Sequence, residues 1–377
     1  MIVRNAYARA GVDVAVEAQA SRIAYEASKL TFKNRKGLIG EIITPFDDFS
    51  GLKMVNVSSL PEGSFMSLGF DTAGSKVEIA QRVGKHDTLG FDVLAMVCDD
   101  ALVRGGEPVL AGSTLDIKTL GSDDRFLPII RELAKGYVAA AEAANVAIIN
   151  GEIVQMGPLV HGQGDFPYHW GAACVWFGKK DRLLTGLEIR EGDALVALGE
   201  HGFRCNGISL ARKVFEGAYG DEWHEHGFEG STIGLEALKP SIIYSRFVVG
   251  LHGGFDTQGV CAVHGVSHIT GGGLPEKMGR MLRPSKLGAK LDDLYDPPPI
   301  VRHCQRIGNI SDKDAYGAWN MGQGMILVTP EPDAVLAEAK AKNISAKIAG
   351  EIITEPHVLI TSRGVEKPGT ILSYDVT

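Results

Sequence analysis

The segment "SDDRFLPIIRELAKGYVAAAEAANVAIINGE" constrains the fold more than any other part of the chain. Most of it has the apolar spacing of an amphipathic helix, and it runs without a linker into the short apolar strand "VAIIN". Ser122, Asp123 or Asp124 can cap the helix start, and Asn145 stands at its end. A helix delivered straight into a buried strand has to pack on the sheet that the strand joins. The chain is therefore built from layered helices and strands.

The same alternation continues on both sides. "VDVAVEAQASRIAYEASKL" has helical periodicity through Val16, Ala20, Ile23, Ala24 and Ala27, and "RKGLIGEIITPFDDFSGLK" reads as loop and short strand. "SFMSLGFD" predicts a strand ending at Asp71, and "PVLAGSTLDI" and "WGAACVWFG" predict two more. Around "KKDRLLTGLEIREGDALVALG" the texture resets to charged linker, turn and new strand, which sets a boundary near residues 178–190. Beyond it come strand "ALVALG", a helix from Asn206, a helical stretch near "KPSIIYSRFVVGLH", strand "VCAVHGVSHIT" and a helix after the glycine triplet. Strand "GMILVT", helix "PDAVLAEAKAKN" and strand "AKIAGEII" follow. The expected architecture is two domains, an α/β unit over 1–180 and an α+β unit over 181–377.

Composition excludes several classes. The net charge is −8 and no basic block stands out, so the chain lacks the footprint of a nucleic-acid binder. Its five cysteines are scattered and form no CxxC pair, which argues against a zinc knuckle or a disulfide framework. Free buried thiols suit a reducing compartment. No window approaches the roughly 20 apolar residues of a membrane span, and Arg4, Arg9, Asp13 and Glu17 interrupt the N-terminal run, so a cytoplasmic protein is expected.

Glycine is abundant, with 47 residues, many in pairs or triplets such as Gly105-Gly106 and Gly271-Gly272-Gly273. Such clusters serve tight turns or let backbone approach a ligand. "KHDTLGFDVLAMVCDDALVRGGEP" poses the sharper question. Phe91, Leu94, Ala95, Cys98, Ala101 and Leu102 make an apolar helix face, yet the stretch carries five acidic residues, among them the adjacent Asp99 and Asp100. Either these carboxylates solvate an outer face or they hold metal ions. Asp71 at a strand end, Asp87 at a helix start and the Asp99-Asp100 pair fit a metal and nucleotide cleft, because Mg²⁺ takes oxygen ligands from carboxylates and substrate phosphates.

Other stretches add to that picture. "GFDTAGSK" places Lys76 where it can meet a phosphate, although the spacing is not that of a Walker loop. His86 is either a capping or packing histidine or part of the cleft. Glu152 follows a buried strand, where side chains face a cleft in open α/β sheets. "RCNGISLARK" offers Asn206 and Ser209 at a helix start, and "HITGGGLPEKM" leads from strand through glycines into a helix with free N–H groups for an anion.

In order, "YARAGVDV", the "KHDT…GGEP" stretch, "CNGISLARK", "LKPSIIYSR", "HGVSHITGGGLPEKM", "NMGQGMILV" and "KIAGEI" resemble the phosphoribosylformylglycinamidine cyclo-ligase family, also called aminoimidazole ribonucleotide synthetase. The resemblance spans nearly the whole chain. It implies a homodimer whose N-terminal α/β domains share a β-barrel-like interface, and a C-terminal α+β domain closing over the cleft. It implies ATP and Mg²⁺ as cofactors and formylglycinamidine ribonucleotide as substrate, with the formyl oxygen phosphorylated before ring closure. Carried onto this chain, it implies catalytic roles for Lys76, His86 and Asp100. ATP would lie against Asp71, Gly74, Ser75, Lys76, Asp87, Thr88, Asp100, Gly151 and Glu152. Metal would be held by Asp71, Asp87, Asp100 and Glu152, and substrate by Asn206, Ser209, Thr270, Gly271 and Gly272.

The chain departs from the family in four places. Gln155 in "NGEIVQMGP" replaces an acid, Arg204 in "FRCNG" replaces a histidine, and Asp99 replaces the asparagine of an Asn-Asp pair. The usual Gly-Phe-Gly loop is replaced by "KGLIGEIITPFDDF". Among relatives by superfamily, a selenophosphate synthetase would carry a reactive cysteine near its start, whereas the first here is Cys98, and a hydrogenase maturation factor would end in cysteine, whereas this chain ends "YDVT". The His-Asn-His motif of the glutamine-dependent synthetase of the preceding purine step is absent. A thiamine-monophosphate kinase and a nucleotide-binding regulatory protein without turnover remain the alternatives.

Overall fold

The structure is a computed structural model that describes residues 14–43 and 53–376. The motif "YARAGVDV" except its last residue, and the "TPFDDF" part of the early loop, lie outside the described residues.

In the first half, α1 (Val14–Thr31), β1 (Ile42–Ile43), β2 (Met54–Val55), β3 (Ser64–Thr72), α2 (Lys76–Val83) and α3 (Leu89–Leu102) come first. β4 (Glu107–Ile117), α4 (Leu127–Ala144), β5 (Ala147–Gln155) and β6 (Tyr168–Lys179) follow. Strands β3 to β6 make a four-stranded sheet in the order β3-β6-β4-β5. β4 and β5 pair in parallel because α4 crosses between them, and the other pairs are antiparallel. One face of the sheet is covered by α3, which packs on β3 and β6, with α4 against α3 and α1 against α4.

Along β3 the burial alternates, as a strand with one open face requires, and Met66, Leu68 and Phe70 stand exposed on the uncovered side. The α3–α4 crossing depends on two glycines. A Cβ at Gly90 would come within 2.5 Å of the Gly136 backbone, and one at Gly136 within 2.1 Å of the Asp87 carbonyl.

The expected caps of α4 are corrected. The helix begins at Leu127, after Phe126, with Pro128 in its first turn. Asp123 instead accepts the Arg125 N–H in the turn before it. Asn145 does close the helix, in the left-handed conformation at φ 58°.

The second half contains β7 (Ala194–Gly199), α5 (Ile208–Tyr219), β8 (Gly227–Phe228), β9 (Ser231–Thr232), α6 (Ile233–Ala237), α7 (Ser245–His252), β10 (Gly265–His268) and α8 (Gly273–Leu282). It continues through β11 (Gly288–Leu291), α9 (Pro299–Ile307), α10 (Asp312–Ala318), β12 (Gln323–Thr329), α11 (Pro332–Ala341), β13 (Ala346–Ile353), β14 (His357–Thr361) and β15 (Ile371–Asp375). Seven of these strands form one sheet, in the order β10-β12-β7-β13-β11-β14-β15. β10 is shorter than expected, because "VCAV" does not join the sheet. Among the described residues no strand pairs across the two large sheets. The halves meet instead through α3, which contacts α7 and β10 as well as its own sheet. Among the described residues no helix is long and apolar enough to cross a membrane.

Candidate active site

The acid-rich stretch from Lys85 to Pro108 is held largely by contacts that the sequence did not display. Each of its five carboxylates meets a basic side chain. Asp87 pairs with Lys85 and Lys135 at the surface, and Glu107 pairs with the buried Arg35 at 3.0 Å. Asp92 and Asp99 are fully buried and reach into the second half. Asp92 Oδ1 accepts from Lys76 Nζ at 2.7 Å, from the Ser241 hydroxyl at 2.6 Å and from the Ser241 N–H at 3.1 Å. Asp99 accepts from the Ser245 hydroxyl at 2.7 Å, from the Tyr244 N–H at 3.1 Å and from Arg204 Nη2 at 3.4 Å. Burial raises the Asp99 pKa, against the opposing pull of His268 and Arg204.

Lys76 therefore stands differently from its expected role at a phosphate. Its ammonium is 0% exposed and donates to Asp92, to the Phe203 carbonyl at 2.8 Å and to the Lys239 carbonyl at 2.6 Å. All three of its protons are engaged, two of them with the second half.

The fifth acid, Asp100, behaves otherwise. Its side chain is 55% exposed and its Oδ1 lies 2.7 Å from His268 Nδ1. Burial pushes its pKa up, but the hydrogen bond from His268, with the nearby Lys277 and Arg204 charges, outweighs it, and the net shift is downward. Asp71, at the end of β3, is close enough for the Asp100 charge to act on it, and its pKa is raised, first by burial. Lys277 on α8 acts on both carboxylates. Around this pair the two halves come together. Ser75 Oγ lies 3.1 Å from Ser209 Oγ, and Gly74 borders the Cys205 carbonyl. Gly271 packs against the Asn206 amide, whose Oδ1 is buried without a protein partner. Gly272 and Gly273 take φ of 86° and 63°, which turns the chain from Thr270 into α8 and directs that helix's N-terminus at the cleft.

The structure thus gathers Asp71, Gly74, Ser75, Asp100, Asn206, Ser209, Thr270, Gly271 and Gly272. It does not bring the remaining expected residues to them. Asp87 and Thr88 sit at the other end of α3, about 20 Å from Asp100 by the rise of the helix. His86 is there too, buried, with Nδ1 2.7 Å from the Tyr168 hydroxyl, and burial lowers its pKa. The register separates Glu152 from Asp71. Asp71, Ala172, Ser113 and Gly151 form one cross-strand row, whereas Glu152 belongs to the next row, with Thr72, Gly171 and Thr114, on the opposite face. Within one chain these positions hold Asp87 and Glu152 apart from Asp71 and Asp100, which lie together. Gly151 and Glu152 instead border a cavity of about 620 Å³ beneath α1 and α4.

Two groups in the cleft were missed from sequence. His268 stands two residues before the Thr-Gly-Gly-Gly run, and that proximity was its signal. Arg204, seen only as a departure, lies at the centre of the network, with Nη2 2.8 Å from His268 Nε2 and Nη1 3.0 Å from Glu200. Burial lowers its pKa, but Glu200 and Asp99 overcome this and raise it. Gln155, the other substituted residue, is away from the cleft. It accepts the Leu120 N–H at 2.9 Å and donates to Glu17 at 3.1 Å.

Comparison with known proteins identifies the family. Residues 54–173 match the N-terminal domain of AIR synthase related proteins, and residues 190–362 match the C-terminal domain. A phosphoribosylformylglycinamidine cyclo-ligase of Symbiobacterium thermophilum is 33% identical over 324 residues, 84% of this chain and 86% of that protein. One of Methanococcoides burtonii is 32% identical over 352 residues, 92% of this chain and 94% of that protein. In fold, the chain is similar to a thiamine-monophosphate kinase of Stenotrophomonas maltophilia, with a TM-score of 0.57 at 15% identity, covering 90% of this chain and 95% of that one. It is also similar to a hydrogenase maturation protein of E. coli, with a TM-score of 0.57 at 17% identity, covering 86% and 89%. The full-length relatives and both domain matches agree: this chain belongs to the AIR synthase related family, among the phosphoribosylformylglycinamidine cyclo-ligases.

Proposed function

We propose that the protein is an ATP-dependent cyclo-ligase that converts formylglycinamidine ribonucleotide to aminoimidazole ribonucleotide, with release of ADP and phosphate. The observation that carries this reading is the cleft between the halves, where Asp71, Asp100, Asn206, Ser209 and the Thr270–Gly272 turn meet in a chain with the family's full-length motif order. An amide oxygen is a poor leaving group, and phosphoryl transfer makes it a good one. The amidine nitrogen then attacks the activated carbon and phosphate departs. Such transfer depends on positioning and charge neutralisation more than on a protein nucleophile.

On this reading Asp71 and Asp100 hold Mg²⁺ and Lys277 supplies a nearby positive charge. The oxygen donors and the half-exposed Asp100 suit that ion, which would neutralise phosphate charge. The N-terminus of α8 receives a phosphate, and Asn206, with its unpartnered buried Oδ1, fixes the substrate together with Ser209. The Asp71–Gly151 row crosses three strand spacings, about 14 Å. A nucleotide laid along it would place its phosphates at Asp71 and its base toward the cavity at Gly151.

The exposed Met66, Leu68 and Phe70 support a two-fold dimer, in which the open face of the first-half sheet meets its copy and closes a shared barrel. Glu152 would lie within that interface. Residues 1–180 then serve ATP binding and dimerisation, and 181–377 complete the cleft. The test is direct: purified protein, ATP, Mg²⁺ and formylglycinamidine ribonucleotide are mixed and ADP is measured. ADP release that requires the formyl substrate supports the cyclo-ligase. Binding of ATP with no release above background would instead leave a nucleotide-binding protein without turnover.

A further inference from the structure

We infer that Arg204 is a positioning residue that fixes the ring of His268 and, through it, the carboxylate of Asp100, and that Asp99 is present to hold Arg204. The argument starts from hydrogen-bond chemistry. A guanidinium has only donors. Arg204 Nη2 lies 2.8 Å from His268 Nε2, so that nitrogen accepts. The ring proton is therefore on Nδ1, which donates to Asp100 Oδ1 at 2.7 Å. Asp100 itself favours a proton on Nδ1; Arg204 adds the second constraint, because a donor-only guanidinium against Nε2 keeps a proton off that nitrogen and fixes the ring plane on which the Asp100 bond depends.

Arg204 is itself held on several sides. Nη1 donates to Glu200 Oε2 at 3.0 Å and to the Ile242 carbonyl at 3.1 Å, and Nη2 reaches Asp99 Oδ2 at 3.4 Å. Its side chain is 1% exposed, so it does not touch a ligand in the cleft. It acts on the cleft only through His268. Asp99 and Arg204, 105 residues apart in sequence, are thus in direct contact. An arginine brought into this buried position needs an added negative charge, and Asp99 supplies it from α3.

The activity arm of the test rests on the cyclo-ligase reading, whereas the spectroscopic arm does not. Protein labelled with ¹⁵N-histidine is measured by NMR, with the His268 signal assigned by its loss in His268→Gln. The expected wild-type spectrum shows a protonated Nδ1 and an unprotonated Nε2. Arg204→Met is expected to lose that pattern. Arg204→Met combined with Asp99→Asn, which removes the acid left without its cation, provides a second variant should the first not fold, and it too is expected to lose the preference. In turnover, groups that orient a functional side chain are worth on the order of ten- to hundredfold. The loss should fall on kcat, with the KM for the formyl substrate changed less than about threefold on the same scale. Arg204→His alone should be impaired, and the double variant Asp99→Asn with Arg204→His should recover most of the loss, because it exchanges both members together. An unchanged His268 tautomer in folded Arg204→Met, alone or with Asp99→Asn, overturns the inference. So does a double variant no better than Arg204→His. If wild-type protein makes no ADP, the cyclo-ligase reading fails, and the tautomer result alone decides the role of Arg204.

Discussion

Asp92 and Asp99 stand two helical turns apart on one face of α3, and each receives a hydroxyl and a backbone N–H from the segment between Ser241 and Ser245. Each also receives a buried cation, Lys76 for Asp92 and Arg204 for Asp99. The two carboxylates work as parallel clamps between the halves, and this shapes the first prediction.

Lys76→Met should act on stability rather than on chemistry. It leaves Asp92 buried with its charge uncompensated, a loss typically of about 3–5 kcal/mol. The double variant Lys76→Met with Asp92→Leu should lose less than Lys76→Met alone, since no orphan charge remains. Urea titration of wild type and the two variants checks this. Equal unfolding midpoints for wild type and Lys76→Met would return Lys76 to a role at the phosphates.

Asp100→Asn should behave in the opposite way. Its carboxylate is half exposed and has one polar side-chain partner, so folding stability should change by less than about 0.5 kcal/mol. Turnover should fall about a hundredfold or more, as for loss of a charge that stabilises a transferring phosphoryl group. Steady-state ADP release at limiting Mg²⁺ is the measurement. Turnover within a few-fold of wild type would move the metal assignment to Asp71.

Phe70→Asp should yield a monomer. The ring is 74% exposed on the open sheet face, beside Leu68 and Met66. A carboxylate there would have to be desolvated in a two-fold interface, where it would meet its own copy. Light scattering at micromolar protein should give about half the wild-type mass. A wild type that is already monomeric would remove the shared-barrel proposal.

Stability should fall as pH drops below about 6.5. Burial holds the imidazoles of His86 and His252 below the ordinary histidine range, with Arg182 adding to the effect at His252. In that window the unfolded chain binds more protons than the folded one, so stability is full above the unfolded histidine pKa and is lost as acid is added. The double variant His86→Gln with His252→Gln should show a flatter decline in urea midpoint between pH 7.5 and 5.5. A slope identical to that of wild type would mean that other groups set the acid sensitivity.

Much of the frame was legible from sequence because it rests on local pattern. The α1, α3 and α4 helices and the strands β3 to β7, β12 and β13 follow from apolar period and glycine punctuation. The cleft members Asp71, Asn206 and Thr270 to Gly272 were legible because they lie at element ends beside glycines. The fate of Asp92, Asp99 and Lys76 was not. A charge at helical spacing reads alike whether it faces water, a metal or a cation 105 positions away, and the partner that decides is set by tertiary contact. Of the four carboxylates, Asp87 and Glu152 stay apart from the other two within one chain for a related reason. Distance along the chain between Asp87 and Asp100 is short, but α3 is straight enough to hold them at opposite ends. Strands β14 and β15 went unread because short polar-flanked runs such as "HVLIT" declare themselves only through their neighbours.

The paired clamps on α3 also make the two halves a single unit of inheritance. A chimera joining residues 1–180 of this chain to a second half that carries histidine in place of Arg204 would bury the Asp99 carboxylate without the guanidinium it meets here. The reciprocal chimera would bury a guanidinium with one acid too few. A chain rejoined at the linker would therefore have to carry Asp99 and Arg204 together, although each belongs to a different half.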